Sequence, residues 1–296
     1  MFHLASHEGE NAFHLAMKNS SGTETLGRIR EALEAAVSAV SSFVPGAIKV
    51  HQTSDRGPVT EADSVVNQVL RQVLVRDGEG WLSEESVDDL KRMEKHRVWV
   101  VDPIDGTREF VAGISEWCVS VGLVENGRAI AGGICNPATC ETFIGSLETG
   151  ITYNGKRVWT SKKRDLAGAL VLASRTEFER GDWERFQHTH LVIRPVGSVA
   201  YKLALVAAGL ADATWSLSPK NEWDIAAGVA LVEAAGGVVR SLANSSLAFN
   251  NKSVGVSGFL AGGPRLREEL TSLIQPHIEA YASSALIPAG SDQKRG

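Results

Sequence analysis

The chain has 296 residues, 43% hydrophobic and 22% charged, with a formal net charge of −5. This composition excludes a disordered chain and predicts one large globular core or two intimate subdomains. The mild acidity gives no reason to expect a nucleic-acid polymer as partner, and no stretch approaches the roughly 18 apolar residues of a membrane span.

The N-terminal stretch MFHLASHEGENAFHLAM lacks the pattern of a signal peptide, so a cytoplasmic protein is expected. Over residues 24–44, Leu26, Ile29, Leu33, Val37 and Val40 recur at three- and four-residue spacing, which predicts an amphipathic helix. HQTSDRGP reads as a loop. A second helix starts in VTEADSVVNQVLRQVLVRD, with Thr60 as N-cap, Asp63 three positions on, and Val66, Leu70, Val73 and Leu74 as its apolar stripe. GEGWLSEESVDDL reads as a short strand running into acids.

Val98, Trp99, Val100 and Val101 predict a strand covered on both faces. It is expected to stop at Pro103, which cannot donate a ladder hydrogen bond. Asp102 and Asp105 then flank a rigid bend, and Gly106 allows a positive φ or a close backbone approach. An antiparallel meander of two or three strands follows, with turns at Asn126-Gly127, Asn136-Pro137 and Asn154-Gly155. Cys118, Cys135 and Cys140 are too few for a disulfide framework, and no second Cys or His pair completes a metal site. They read as thiols in a reducing compartment.

From about residue 168 short apolar strands alternate with helices, which predicts a second sheet with helices on its faces. The helix containing Asp224 should end at Gly236-Gly237. These textures predict an α+β unit over 24–165, an α/β unit over 166–275 and a loose tail over 276–296.

Five acids stand at element ends: Asp63, Glu84, Asp102, Asp105 and Asp224. Singly, each has a plain reading as a helix cap, a dipole complement or a solvated strand end. Brought together, Glu84, Asp102, Asp105 and Asp224 repel one another by about 4 kcal/mol per pair at ~4 Å, and such a cluster needs cations or shifted pKa values. An oxygen-only donor set suits Mg²⁺ or Mn²⁺ rather than zinc, with the Ile104 carbonyl as a neutral ligand. The amides of Gly106 and Thr107, opening the turn TREFV, suit phosphate oxygens. Together these features suggest metal-assisted hydrolysis of a phosphate ester. A haloacid-dehalogenase-type site would need Asp-x-Asp-Gly-Thr near the start of the chain. Here the spacing is Asp-x-x-Asp-Gly-Thr, a third of the way along.

GPVTEAD, LSEES, WVVDPIDGT and WDIAAG…EAAGG, in this order, resemble the inositol monophosphatase family of Mg²⁺-dependent, lithium-sensitive phosphomonoesterases over about residues 25–265. The resemblance implies a layered α/β/α/β/α sandwich and a homodimer. It assigns Glu84, Asp102 and the Ile104 carbonyl to one metal, and Asp102, Asp105 and Asp224 to a second. Glu84 helps place a third, weaker ion. Asp63 pairs with the Thr107 hydroxyl to orient and deprotonate water, and the Gly106 and Thr107 amides hold the phosphate. The implied reaction is in-line attack by a metal-activated water without a phosphoenzyme.

DGTREF, LSEE, ASR at 173–175 and GSVAYKLALVAAG resemble bacterial 3′(2′),5′-bisphosphate nucleotidases, which hydrolyse 3′-phosphoadenosine 5′-phosphate. Inositol monophosphatases carry a Glu shortly before the Trp-Asp pair. Here Ser216-Leu217 stand in its place, and Lys220 follows. Arg175, Lys202 and Lys220 are candidates for a second phosphate, although the lysine of those nucleotidases falls at Tyr201 here, and Lys202 alone reads as a surface residue. An inositol or other polyol phosphate is the alternative substrate. A catalytically silent scaffold would have lost a metal acid or Thr107, and all are present.

Overall fold

The two faces of one strand set the layering. The computed structural model describes residues 5–48, 50–53 and 57–285, with side chains at 22–48 and 59–278. Helix α1 (Ala5–Val40) leads into an antiparallel hairpin of β1 (Val50–Thr53) and β2 (Gly57–Thr60), then α2 (Glu61–Leu74). Helix α1 starts before the expected residue 24 and ends at Val40 rather than 44. The expected loop HQTSDRGP is mostly strand, and residues 54–56 of it lie outside the described residues.

A seven-stranded sheet follows in spatial order: β3 (Gly80–Ser83), β4 (Arg97–Asp105), β5 (Cys118–Glu125), β6 (Arg128–Asn136), β7 (Glu141–Ser146), β8 (Gly150–Tyr153) and β9 (Lys156–Val158). A short helix, α3 (Thr107–Val111), joins β4 to β5. The meander is longer than expected, and Asn126-Gly127 and Asn154-Gly155 both take the paired positive φ angles of tight hairpin turns. The sheet is not wholly antiparallel, because β3 pairs with β4 in parallel, Ser83 beside Val101. Nor does β4 stop at Pro103. It continues to Asp105, and the register against β5 shifts between Asp102 and Asp105. Such a bulge tolerates a proline within the strand.

Along β4, Trp99 and Val101 pack with Ile29, Leu33, Val66 and Leu70 of α1 and α2, while Val98 and Val100 face the opposite core. That opposite core is filled by two later helices, α5 (Val199–Ala207) and α6 (Glu222–Ala234). Gly122 and Gly132 let the backbone of α6 lie on the sheet: a Cβ at Gly132 would stand 2.6 Å from the Ala227 carbonyl oxygen.

The chain reaches α5 through β10 (Leu170–Ser174), α4 (Arg175–Glu179) and β11 (Val192–Val196). Between and after the two helices come β12 (Ala213–Ser216), β13 (Lys220–Asn221), β14 (Val238–Ser241), β15 (Gly255–Val256), β16 (Phe259–Gly262) and α7 (Arg267–Ala285). The second sheet has the order β11-β10-β12-β16-β14, parallel around β10 and antiparallel around β16. Trp183, Phe186 and Trp215 pack with Leu266, Leu270 and Ile274 on its outer face. Five layers result: helices, sheet, helices, sheet, helix. The expected layered α/β/α/β/α sandwich is therefore present. Helix α7 runs through Pro276 to Ala285, so the segment expected to be loose from 276 is helical that far, and 286–296 lie outside the described residues. No helix among the described residues is long and apolar enough to cross a membrane.

Candidate active site

Two helix starts use the same local device. In α2 the Asp63 carboxylate, at the third helical position, accepts the N–H of the N-cap Thr60 at 2.8 Å and its hydroxyl at 2.6 Å. In α6 the Asp224 carboxylate accepts the N–H of the N-cap Asn221 at 2.8 Å. Both acids are thus fixed by capping boxes. One oxygen of Asp224 remains to face the cleft.

The bulge in β4 turns both Asp102 and Asp105 inward. They are 2% and 8% exposed. Asp102 Oδ1 accepts the Ile104 N–H at 3.1 Å. Asp105 Oδ2 accepts the Ser198 hydroxyl at 2.6 Å and the Ala200 N–H at 2.5 Å, both at the start of α5. Asp102, Asp105 and Asp224 each present a carboxylate oxygen, and these atoms lie within 4.8 Å of one another. Glu84 stands at the end of β3, its N–H held by the Val101 carbonyl at 3.3 Å, and its carboxyl bonds Asp102.

The electrostatics follow from this crowding. Burial and the neighbouring Asp224, Glu85 and Asp105 push Glu84 up to about 8. Burial and Asp105 push Asp224 up to about 7. Asp102 is raised well above the usual carboxylate range, first by burial and then by Glu84, Asp105 and Asp224. Burial also raises Asp105, against the pull of Ser198, Ala200 and Lys202. At 4.8 Å and an effective dielectric near 20, two unit charges repel by about 3.5 kcal/mol. Four clustered carboxylates with oxygen donors only could hold a hard divalent cation, which would reverse each of these shifts.

Beside the acids, the Thr107 hydroxyl donates to the Ile104 carbonyl at 2.9 Å and also reaches Asp63. Asp63 is buried, raised mainly by that burial, and lies behind Thr107 rather than on the cleft wall. Gly106, with φ of 96°, precedes α3 in a conformation that only glycine adopts without strain, and a Cβ there would stand 3.0 Å from the Glu116 carbonyl.

The cleft has a volume of about 540 Å³, and Glu84, Asp102, Asp105 and Asp224 line it together with Arg108, Arg175, Arg180, Lys202 and Lys220. Lys202 does not lie on the surface. It is 3% exposed, and it donates to the Ser198 carbonyl at 2.6 Å and to the Val196 carbonyl at 3.2 Å. Burial lowers it to about 8. Tyr201, at the position of the nucleotidase lysine, points away from the cleft, with its hydroxyl on Glu141 and its ring against Phe143. Arg175 is paired with Glu116 at 2.5 Å, and Lys220 with Glu177 at 3.1 Å.

Several residues at the cleft escaped the sequence reading. Ser198 caps α5 by accepting the Tyr201 N–H at 2.9 Å, and a Gly-Ser before an apolar helix is a signal for such a cap. Glu116 receives both Arg175 and the Gly197 N–H. Glu177 accepts the Ser216 hydroxyl at 2.6 Å as well as Lys220. A carboxylate therefore does stand beside Ser216, but it comes from α4, about forty residues away in sequence, where local spacing gives no hint of it.

Residues 23–279 match the model of the inositol monophosphatase family. The chain belongs to that family. It is 30% identical to the inositol-1-monophosphatase of Mesorhizobium japonicum over 79% of this chain and 90% of that protein. The fold agrees with solved members of the family. The structure of the Thermotoga maritima IMPase covers 85% of this chain and 96% of its own, with a TM-score of 0.72 and 27% identity. That of CysQ from Bacteroides thetaiotaomicron, described as a bacterial member of the family, covers 82% and 98%, with a TM-score of 0.69 and 26% identity. Members are phosphatases that hydrolyse phosphomonoesters, and this chain is such an enzyme by membership.

Proposed function

We propose that the protein is a Mg²⁺-dependent phosphomonoesterase whose substrate carries a second anionic group, most simply a 3′(2′),5′-bisphosphate nucleotide. On this reading Glu84, Asp102 and the Ile104 carbonyl hold one ion, and Asp102, Asp105 and Asp224 hold another. Glu84 also helps to place a third. When bound, Mg²⁺ supplies Lewis-acid polarisation of the phosphate and makes water a nucleophile at neutral pH. The Gly106 and Thr107 amides hold phosphate oxygens at the start of α3. The Thr107 hydroxyl orients the attacking water, and Asp63 behind it takes the proton. Lithium sensitivity, a homodimer and a cytoplasmic location belong to the same reading.

One observation carries the substrate choice: Arg108, Arg175, Arg180, Lys202 and Lys220 line the same cleft as the metal acids. A monophosphate of a neutral polyol has no second charge for them, whereas a second phosphate would compete with Glu116, Asp182 and Glu177 for Arg175, Arg180 and Lys220. Leu217, half of the Ser216-Leu217 pair that replaces the inositol-binding Glu, offers no hydrogen bond from its side chain.

A second reading, an inositol or other polyol monophosphatase, is favoured by Glu177. Its carboxylate sits on the Ser216 hydroxyl and could accept sugar hydroxyls in place of the missing acid. The Mesorhizobium relative bears an inositol-1-monophosphatase name.

The two readings separate in one assay. Hydrolysis of 3′-phosphoadenosine 5′-phosphate and of inositol 1-phosphate is compared at equal Mg²⁺ and ionic strength, with and without Li⁺. A higher kcat/KM on the bisphosphate is expected, about tenfold for each 1.4 kcal/mol the second phosphate gains in the transition state. Equal or faster hydrolysis of inositol 1-phosphate selects the polyol reading.

A further inference from the structure

The four clustered carboxylates reach the cleft from separate pieces of the chain. Glu84 follows β3, Asp102 and Asp105 lie on β4, and Asp224 rides on α6. Helix α6 rests on the first sheet through its middle, at Ala227. Its first turn, which carries Asp224, packs through Trp223 and Ile225 in the same core and is also held by polar groups.

A buried polar chain reaches that first turn. Arg92, 2% exposed, lies in the connection between β3 and β4. Its guanidinium donates twice to Asp88 Oδ2, at 2.8 and 3.1 Å, four residues after Glu84 in sequence. It also donates to Asn250 Oδ1 at 2.6 Å and to the Asn251 carbonyl at 2.8 Å. The Asn250 amide returns a bond to the Arg92 carbonyl at 3.3 Å. Asn250 and Asn251 in turn clamp Glu222, the first residue of α6, which is 0% exposed. Glu222 Oε2 accepts the Asn250 N–H at 2.7 Å, and Oε1 accepts the Asn251 N–H and side-chain amide at 2.9 and 2.8 Å.

Burying a guanidinium and a carboxylate is a poor way to gain stability, since the desolvation cost offsets most of the attraction and apolar residues of equal volume serve as well. What the polar chain supplies is direction. It ties the segment after Glu84 to the helix start that carries Asp224, across a sequence gap of more than 100 residues. We propose that Arg92, Asn250, Asn251 and Glu222 are positioning residues of the metal centre, which set the spacing of Glu84 and Asp224 without touching ion or substrate. This inference rests on the assignment of those acids as metal ligands. Outer partners of metal ligands typically contribute ten- to a hundredfold in affinity.

The test is binding of Mn²⁺ alone, followed by loss of the free-ion paramagnetic resonance signal, in folded protein. Arg92→Met removes the hub of the chain. Asn250→Gly removes the two side-chain bonds between Asn250 and Arg92, leaves the Arg92 bond to the Asn251 carbonyl, and keeps the left-handed backbone found there, with φ of 59°. Each variant is expected to raise the Mn²⁺ dissociation constant about tenfold or more. A chain that serves folding alone would lower the melting temperature and leave Mn²⁺ affinity unchanged, and that result in Asn250→Gly overturns the proposal even if Arg92→Met does not fold. Asp102→Asn, measured alongside, is expected to lose Mn²⁺ binding. If it binds as the wild type does, the metal assignment has failed first, and the positioning role falls with it.

Discussion

The Ser198 hydroxyl and the Asp105 carboxylate are 2.6 Å apart, and the same Oδ2 atom also accepts the Ala200 N–H. A cap for helix α5 is therefore built from a residue of the acidic cluster, with one Asp105 oxygen committed to the helix and the other turned to the cleft. Ser198→Ala should leave that carboxylate held by the Ala200 N–H alone and the Tyr201 N–H uncapped. A loss of about 1 kcal/mol in stability is expected from the cap. The Mg²⁺ concentration for half-maximal activity should rise about tenfold, as for other groups that orient a metal ligand. Unchanged Mg²⁺ dependence would restrict Ser198 to capping.

Asp102→Asn should abolish turnover with the fold intact, since Asp102 is shared between both proposed ions. In metal-chelated protein at alkaline pH, where the raised carboxyls ionise, the same change should raise the melting temperature, because it removes one of the charges that repel by about 3.5 kcal/mol per pair at 4.8 Å. Phosphatase activity near wild type in a folded variant would defeat the ligand assignment.

Thr107→Ala should lower kcat by about a hundredfold or more, the usual weight of a positioned proton-transfer partner, with little change in KM. The amides that hold ground-state phosphate survive the substitution, while the hydroxyl linking the Ile104 carbonyl and Asp63 does not. An effect confined to KM would make Thr107 a substrate ligand and Asp63 only a cap.

Lys202 gives a stability signature in pH. Its folded value of about 8 lies below its ordinary 10.5, so between these limits the unfolded chain binds more protons and stability rises with pH. Below pH 8 the full cost of the buried charge is present, and above 10.5 it is gone. Lys202→Met removes this dependence. Subtracting the variant's denaturant-unfolding free energy from that of the wild type should give a difference that climbs across pH 8–10.5. A flat difference would mean that the buried amine keeps its ordinary pKa.

Local periodicity and cap chemistry made much of the fold legible. The stripe of Val66, Leu70 and Leu74 and the Thr60 cap gave α2, and the Asn-Gly pairs gave their hairpins. Asp102, Asp105 and Asp224 were read one by one at element ends, and the structure brings them together. Pro103 misled because a bulge, not a strand end, absorbs its missing N–H. The parallel pairing of β3 with β4 was invisible because it joins segments with an intervening connection and no turn signal. Lys202 taken alone reads as a surface residue, but α5 is apolar around its whole circumference, which leaves a lysine no wet face. Arg92 and Glu222 could not be linked by any local pattern, since the residues that join them are about 158 positions beyond Arg92.

The order of the acids along the chain has a consequence for biosynthesis. Asp63, Glu84, Asp102 and Asp105 lie within a stretch of residues 63–105, but Asp224 and the loop that clamps Glu222 are made more than 100 residues later. A nascent or prematurely terminated chain holds an incomplete cluster, without the helix that packs against the first sheet. On the proposed assignment, the acidic cluster is therefore complete only after α6 and the loop that clamps its first residue have been made and packed.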